Sequence, residues 1–150
     1  MRTSTIIVAI VAATSVHASY AADSYLCIAD KSVGFSMNEK TKDWHDTTFE
    51  PDHRYIIKKL MTGKIKWEIT AFGSSKTFAA CGNDFDEDGL LDCVGRVTEG
   101  TFEFHLNKIT LRFLGTHSDG YWDYNVTQRY SGAAEGSVTP MMEIGRCSRI

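Results

Sequence analysis

The sequence predicts an all-β domain, a small antiparallel β-barrel or sandwich of about eight short strands stapled by disulfide bonds. Apolar and polar residues alternate through most of the chain, and turn-forming residues recur roughly every 8–12 residues. No stretch has the spacing of a convincing amphipathic helix. The four cysteines are an even number, which in an exported chain indicates disulfide bonds.

The first 21 residues have the features of a cleaved secretory signal peptide. An arginine near the start precedes a short apolar run at 6–16, and Ser19 and Ala21 are the small residues that signal peptidase selects before a cleavage site. The run is shorter than the roughly 20 residues that cross a bilayer. We therefore expect 1–21 to be removed and 22–150 to form one domain, secreted or periplasmic, without a membrane span.

The charge balance argues against one broad class of partner. The chain carries 16 Lys and Arg against 19 Asp and Glu, a net charge of −3. The signal peptide holds one arginine and no acidic residue, so its removal leaves a net charge of −4. Proteins that bind nucleic acid need a basic face that displaces counterions from phosphates. We therefore expect no nucleic-acid partner.

The four cysteines allow three disulfide pairings, of which we favour one. A bond between Cys81 and Cys93 would close a short loop, and one between Cys27 and Cys147 would then join the first mature strand to the last. Each bond would stabilise the fold by roughly 2–4 kcal/mol, mainly by restricting the unfolded chain. No CxxC pair occurs, and the spacings match no zinc pattern, so a zinc site is not expected.

Alternation and turn residues place the strands of the first half of the chain. The segment 54–60 could form a strand or a short helix, and its β-branched isoleucines with the nearby Gly63 favour a strand. The segment 64–72 alternates most regularly, so it should present one apolar face. The predicted strands are 25–29, 33–37, 44–49, 54–60, 64–72 and 77–80, with a polar turn at 38–43.

The clearest hairpin of the second half covers 101–114. Both of its strands alternate, and Asn107-Lys108 between them is compatible with a tight two-residue turn. The remaining predicted elements are a strand at 121–130, a loop at 131–136 and a strand at 141–150.

The segment between the two central cysteines has the pattern of a metal site. Carboxylates at alternate positions followed by glycine reproduce the first half of an EF-hand loop, and calcium takes roughly six to eight oxygen ligands. The second half departs from that loop, since Gly95 stands in place of the bidentate glutamate. We predict a weak, structural calcium site, and the alternative is a solvated acidic turn. The predicted ligands are Asp84, Asp86, Asp88, the carbonyl of Leu90 and Asp92.

An aromatic segment, GYWDY at 120–124, is the predicted partner-binding element. Aromatic side chains at a loop edge anchor a partner, whereas in a small barrel they also fill the core. We predict that Tyr121, Trp122 and Tyr124 contact a protein or glycan, with core packing as the alternative.

Over most of its length, the expected mature chain resembles a group of small exported proteins of proteobacteria and their phages. The resemblance lies in five motifs, which are YLCIADK at 25–31, Gly34-Phe35, KxW at 42–44, YII at 55–57 and EIGRCS at 143–148. It implies an exported, β-rich protein and no particular activity. The acidic residues at 84–92 depart from the group, so the calcium loop is not implied by the resemblance.

No catalytic motif occurs in the chain. There is no GxSxG or HExxH, and histidines and carboxylates are scattered. We therefore expect a non-enzymatic binding module, for example an inhibitor of a hydrolase such as lysozyme with 131–136 as its inhibitory loop. The alternative is a structural or adhesive module stabilised by calcium at 84–92. A hydrolase that uses scattered residues is the third hypothesis.

Overall fold

Residues 23–38, 40–97, 100–118, 121 and 139–150 are described by the computed structural model. Within these ranges the secondary structure consists of nine β-strands without a helix. The strands are β1 (Ser24–Met37), β2 (Trp44–Phe49), β3 (Arg54–Lys59), β4 (Trp67–Ala71), β5 (Thr77–Cys81), β6 (Leu90–Val97), β7 (Gly100–Asn107), β8 (Arg112–His117) and β9 (Met141–Arg149). The all-β prediction is confirmed.

Eight of these strands close into an antiparallel barrel. Neighbouring strands follow the order β1, β3, β4, β5, β6, β7, β8 and β9, and β9 pairs back with β1. Of the two predicted architectures the barrel is therefore the correct one, because a sandwich would keep open sheet edges. The extra strand, β2, pairs with residues 32–37 of β1.

β1 is one strand of 14 residues, whereas the alternation predicted two strands, at 25–29 and 33–37. The adjacent polar residues Asp30 and Lys31 interrupt the alternation between them. Both are exposed, and the pairing of β1 with β9 shifts register between Ala29 and Lys31. A β-bulge accommodates an extra residue in this way without ending the strand. The length of β1 allows it to pair with β3 at its start and with β2 at its end.

The turn between β7 and β8 is wider than predicted. Asn107 Oδ1 accepts hydrogen bonds from the N–H groups of Ile109 and Thr110, both at 2.9 Å, and the Asn107 carbonyl accepts one from Leu111. Asparagine side chains stabilise turns in this way. Ile109 is consequently exposed in the turn, and the return strand begins at Arg112 rather than at 109.

The interior of the barrel is filled by side chains. In a barrel of about eight strands the space inside is just wide enough for side chains to meet. Tyr55 lies among the rings of Phe102, Phe104 and Phe113, with centroids 5.6–6.0 Å away, and Trp67 is almost completely buried. These aromatic rings share the core with buried aliphatic side chains such as Ile57 and Ile69.

Both predicted disulfide bonds are confirmed. Cys27 and Cys147 are directly opposite in the pairing of β1 with β9, so their bond lies across the strand pair that closes the barrel. Cys81 and Cys93 join β5 to β6 and close the acidic loop, the segment 82–92 that contains the predicted calcium ligands. All four cysteines are buried.

The two disulfide bonds indicate an oxidising, non-cytoplasmic compartment. In the described part of the chain, no helix is long and apolar enough to cross a membrane. The predicted signal peptide lies outside the described residues.

Candidate functional site

The predicted calcium loop connects β5 to β6, and its first carboxylate is held against neighbouring strands. Asp84 Oδ2 accepts a hydrogen bond from Lys59 Nζ at 2.8 Å, and Oδ1 accepts one from Trp67 Nε1 at 3.0 Å. The hydrogen bond from Lys59 is the main cause that lowers the pKa of Asp84 to about 2, although partial burial acts in the opposite direction. Asp84 therefore anchors the loop to β3 and β4.

The next residues of the loop bond to its own backbone and to the neighbouring turn. Asp86 Oδ1 accepts a hydrogen bond from the Leu90 N–H at 2.7 Å, and the Leu90 carbonyl accepts one from the Asp86 N–H at 2.9 Å. Gly89 has a φ of 77°, so the sharp turn that the pattern predicts is present. The Asp88 carbonyl accepts a hydrogen bond from Asn107 at 3.1 Å. The turn is closed by these hydrogen bonds.

The last predicted ligand, Asp92, lies on the exposed face of β6. Its Oδ1 is 2.6 Å from Nδ1 of His105, which is opposite on β7. Among the described residues no group of three or more His, Cys, Asp and Glu side chains is placed to hold a single metal ion. Calcium binding by the 84–92 loop stays a prediction.

The predicted partner-binding aromatics lie only partly within the described residues. Tyr121 is exposed, and its ring centroid lies 5.4 Å from that of Trp44 at the start of β2. Trp122, Tyr124 and the 131–136 loop lie outside the described residues. The aromatic contact of Tyr121 with β2 leaves its role in binding a prediction.

A polar cluster in the interior was missed by the sequence analysis. Glu143 on β9 is almost completely buried, and both of its carboxylate oxygens accept hydrogen bonds. The Tyr55 hydroxyl donates to Oε1, and His53 Nδ1 donates to Oε2 at 2.9 Å. A buried carboxylate is costly unless it is paired and hydrogen-bonded. These two donors are what make Glu143 tolerable inside the barrel.

Two neighbouring strands complete the surroundings of Glu143. Gly115 is directly opposite on β8, and a Cβ there would lie 3.0 Å from Oε1, so glycine leaves room for the carboxylate. Ser32 is opposite on β1, and its buried Oγ has no hydrogen-bond partner among the described residues. The cluster thereby brings together β1, β8 and β9 with the start of β3.

The electrostatics of the cluster favour a positively charged His53. The hydrogen bond to Glu143 raises the pKa of His53, and burial opposes this only in part. Asp52 Oδ1, 3.9 Å from His53 Nε2, acts in the same direction as Glu143. Burial, followed by the charge of Glu143, raises the pKa of Tyr55 far above its usual range, so the hydroxyl remains a donor. Hydrogen bonds to the charged Glu143 therefore hold β9 against the loop between β2 and β3 and against the start of β3.

The sequence does contain a signal for the buried Glu143. Residues two apart on a strand face the same side of the sheet. Because Cys147 was expected to form a bridge inside the fold, Gly145 and Glu143 should share its inward face. The alternation therefore identifies a buried carboxylate in the last strand. It does not identify the donors, since these come from a segment about 90 residues earlier.

The outer face of β1, β8 and β9 carries a contiguous apolar surface. Met142 is opposite Val33, Ile144 is opposite Leu114, and Phe35 follows Val33 on the same face of β1. Four of these side chains are about half exposed, and Leu114 is partly buried. Single exposed apolar residues are ordinary, whereas contiguous ones mark interaction sites. We call this surface the apolar strip.

No protein-family model, curated protein or solved structure matches the chain. The resemblance to the exported proteobacterial group stays a prediction, and the function is argued from the geometry of the barrel.

Proposed function

We propose that the mature chain is an exported binding module whose apolar strip contacts a protein partner. The observation that supports the proposal is the contiguity of the strip. Val33, Met142 and Ile144 are each about half exposed and are neighbours on β1 and β9. Burial of apolar surface stabilises a complex by roughly 25 cal/mol per Å² of area removed from water. A partner that covers the strip would gain this free energy.

The filled interior is a second reason to place binding on the outside of the barrel. Small barrels hold a ligand inside only when side chains leave room for it. Trp67, Phe102 and Phe104 are almost completely buried and occupy the interior. The filled interior therefore supports a contact on the outer surface.

The compartment narrows the class of partner. An exported domain with two disulfide bonds meets other exported proteins. The specific version of the proposal is an inhibitor of a hydrolase such as lysozyme. The mainly aliphatic strip favours a protein surface over a glycan, since only Phe35 offers an aromatic face.

The test compares one variant of the strip with a matched control. Met142→Lys places a charge in the middle of the strip, and Val94→Lys places the same charge on another exposed apolar residue, on β6. Near-ultraviolet circular dichroism verifies that both variants fold. Immobilised wild type and variants are compared by biolayer interferometry against lysozymes of several structural types and against proteins exported by the same cells.

We expect a partner that binds the wild type and Val94→Lys, and that binds Met142→Lys about tenfold more weakly or worse, because a charge in an apolar contact must be desolvated. Equal binding by both variants would show that the strip is not the contact surface. A dimer in sedimentation velocity that Met142→Lys abolishes would show that the strip is covered by a second copy of the chain.

A further inference from the structure

A groove of about 500 Å³ lies on the outside of the barrel, beside the apolar strip. It includes two residues of the strip, Leu114 and Ile144, and is surrounded by polar and charged side chains of β1, β7, β8, β9 and the turn between β7 and β8. We call it the arginine groove. Its charged or ionisable lining residues are Asp30, His105, Arg112 and Arg146.

Two arginines stand side by side in the arginine groove. Arg112 on β8 and Arg146 on β9 are directly opposite in the register of the sheet. Like charges at opposite positions destabilise a sheet, so the pair is unfavourable for the barrel itself. It presents two guanidinium groups at one place, and guanidinium groups bind carboxylates through paired hydrogen bonds.

The nearby carboxylates offset only part of this positive charge. Asp30 Oδ2 lies 3.5 Å from Arg146 Nε, and both side chains are exposed, so the ion pair is weak. Asp92 is engaged by His105 at 2.6 Å. Arg112 makes no ion pair with any residue that the structure describes. Two arginines against Asp30 leave the lining of the groove with a net positive charge, on a chain whose net charge is −3.

We infer that the arginine groove receives a carboxylate-bearing segment of the protein partner, with an apolar side chain of that segment on Leu114 and Ile144. The inference rests on the proposed function and names the chemistry of the partner. The two guanidinium groups require an anionic group. Continuity with the apolar strip points to a polypeptide, because nucleic acid is held mainly through its phosphates.

The experiment uses two unlabelled N-acetylated peptides, one of alternating leucine and glutamate and one with glutamine in place of glutamate. Each is titrated into the oxidised, isotopically labelled mature chain, and NMR chemical shifts are followed at the amides of 112–116 and 142–146. The test variant combines Arg112→Gln with Arg146→Gln. The control, Lys58→Gln, removes a positive charge from an exposed position on β3.

We expect the glutamate peptide to bind the wild type and the control, and to bind the double variant about tenfold more weakly or worse, because charge-assisted hydrogen bonds are lost. Added salt should weaken binding to the wild type, since the charges are exposed.

Three results would overturn the inference while leaving the apolar strip as the contact surface. The first is equal affinity for the glutamine peptide, which would show an apolar contact alone. The second is no binding of the glutamate peptide by a wild type that still binds its partner through Met142. The third is displacement of the peptide by a lower concentration of a single-stranded oligonucleotide, which would assign the arginine groove to phosphate.

Discussion

Glu143 constrains the residues that surround it. It accepts hydrogen bonds from Tyr55 and His53, and it occupies space that a side chain at position 115 would fill. Removal of either donor leaves a buried acceptor without its partner, and such a group costs more than the average hydrogen bond is worth. The hydrogen bonds of the cluster therefore predict losses of stability, on substitution of these residues, that burial alone would not predict.

Tyr55→Phe is expected to lower the free energy of unfolding by roughly 1–3 kcal/mol, because the buried carboxylate loses a donor while the ring stays in place. Tyr25→Phe is the matched control, since Tyr25 is buried to the same extent and its hydroxyl does not donate to Glu143. Urea denaturation followed by circular dichroism measures both. Equal losses in the two variants would contradict a role for the hydrogen bond.

His53 is expected to make the stability depend on pH. Its pKa is raised in the folded state, so its contribution is fully present below the unfolded pKa of about 6.5 and is lost as the pH rises through the folded value. The His53 side chain is 46% exposed, so solvent screening limits the effect to less than about 1 kcal/mol.

Urea midpoints of the wild type and His53→Gln are compared between about pH 5.5 and pH 8.5. The stability advantage of the wild type should shrink as the pH rises. His45→Gln, at an exposed position of β2, is the control. If the stability difference between the wild type and His53→Gln stays constant over this pH range, protonation of His53 is not coupled to its hydrogen bond with Glu143.

The strands were largely predictable because one face of each is buried and the other is not. Alternation failed where a polar side chain or an extra residue controls the backbone, as at Asn107 and at the bulge near Asp30. In the acidic loop, the pattern predicted the turn at Gly89. It could not predict that Asp84 would contact Lys59 and Trp67, because those contacts depend on which strands become neighbours.

Calcium is expected to raise the melting temperature of the oxidised chain of residues 22–150, since a ligand bound only by the native state stabilises it. At a concentration ten times its Kd the gain would be roughly 1.4 kcal/mol. Asp86→Ala removes the central carboxylate of the loop and should abolish the shift, whereas Asp46→Ala on β2 should keep it. Calorimetric titration measures the binding directly. If no heat is released up to several millimolar calcium, the loop is a turn closed by its own hydrogen bonds and does not bind calcium.

At the scale of the whole molecule, the cysteine count and the alternation predicted a disulfide-bonded β fold, and the favoured pairing is confirmed. The choice between barrel and sandwich stayed open because alternation shows which side of a strand is buried, and does not show whether the first and last strands meet. The apolar strip was missed for the same reason. Val33 and Met142 lie more than 100 residues apart and become neighbours only when the barrel closes.

The bond between Cys27 and Cys147 joins residues 120 positions apart. A single cut of the backbone anywhere between residues 28 and 146 therefore leaves the two fragments covalently linked. Proteases attack exposed loops first, and residues 61–66 form such a loop. Because the disulfide bond keeps the two fragments of a cleaved chain at high effective concentration, their strands can pair again on either side of the cleavage site. Because this bond and the backbone form one closed covalent ring, a single cut within an exposed loop does not separate the two parts of the barrel.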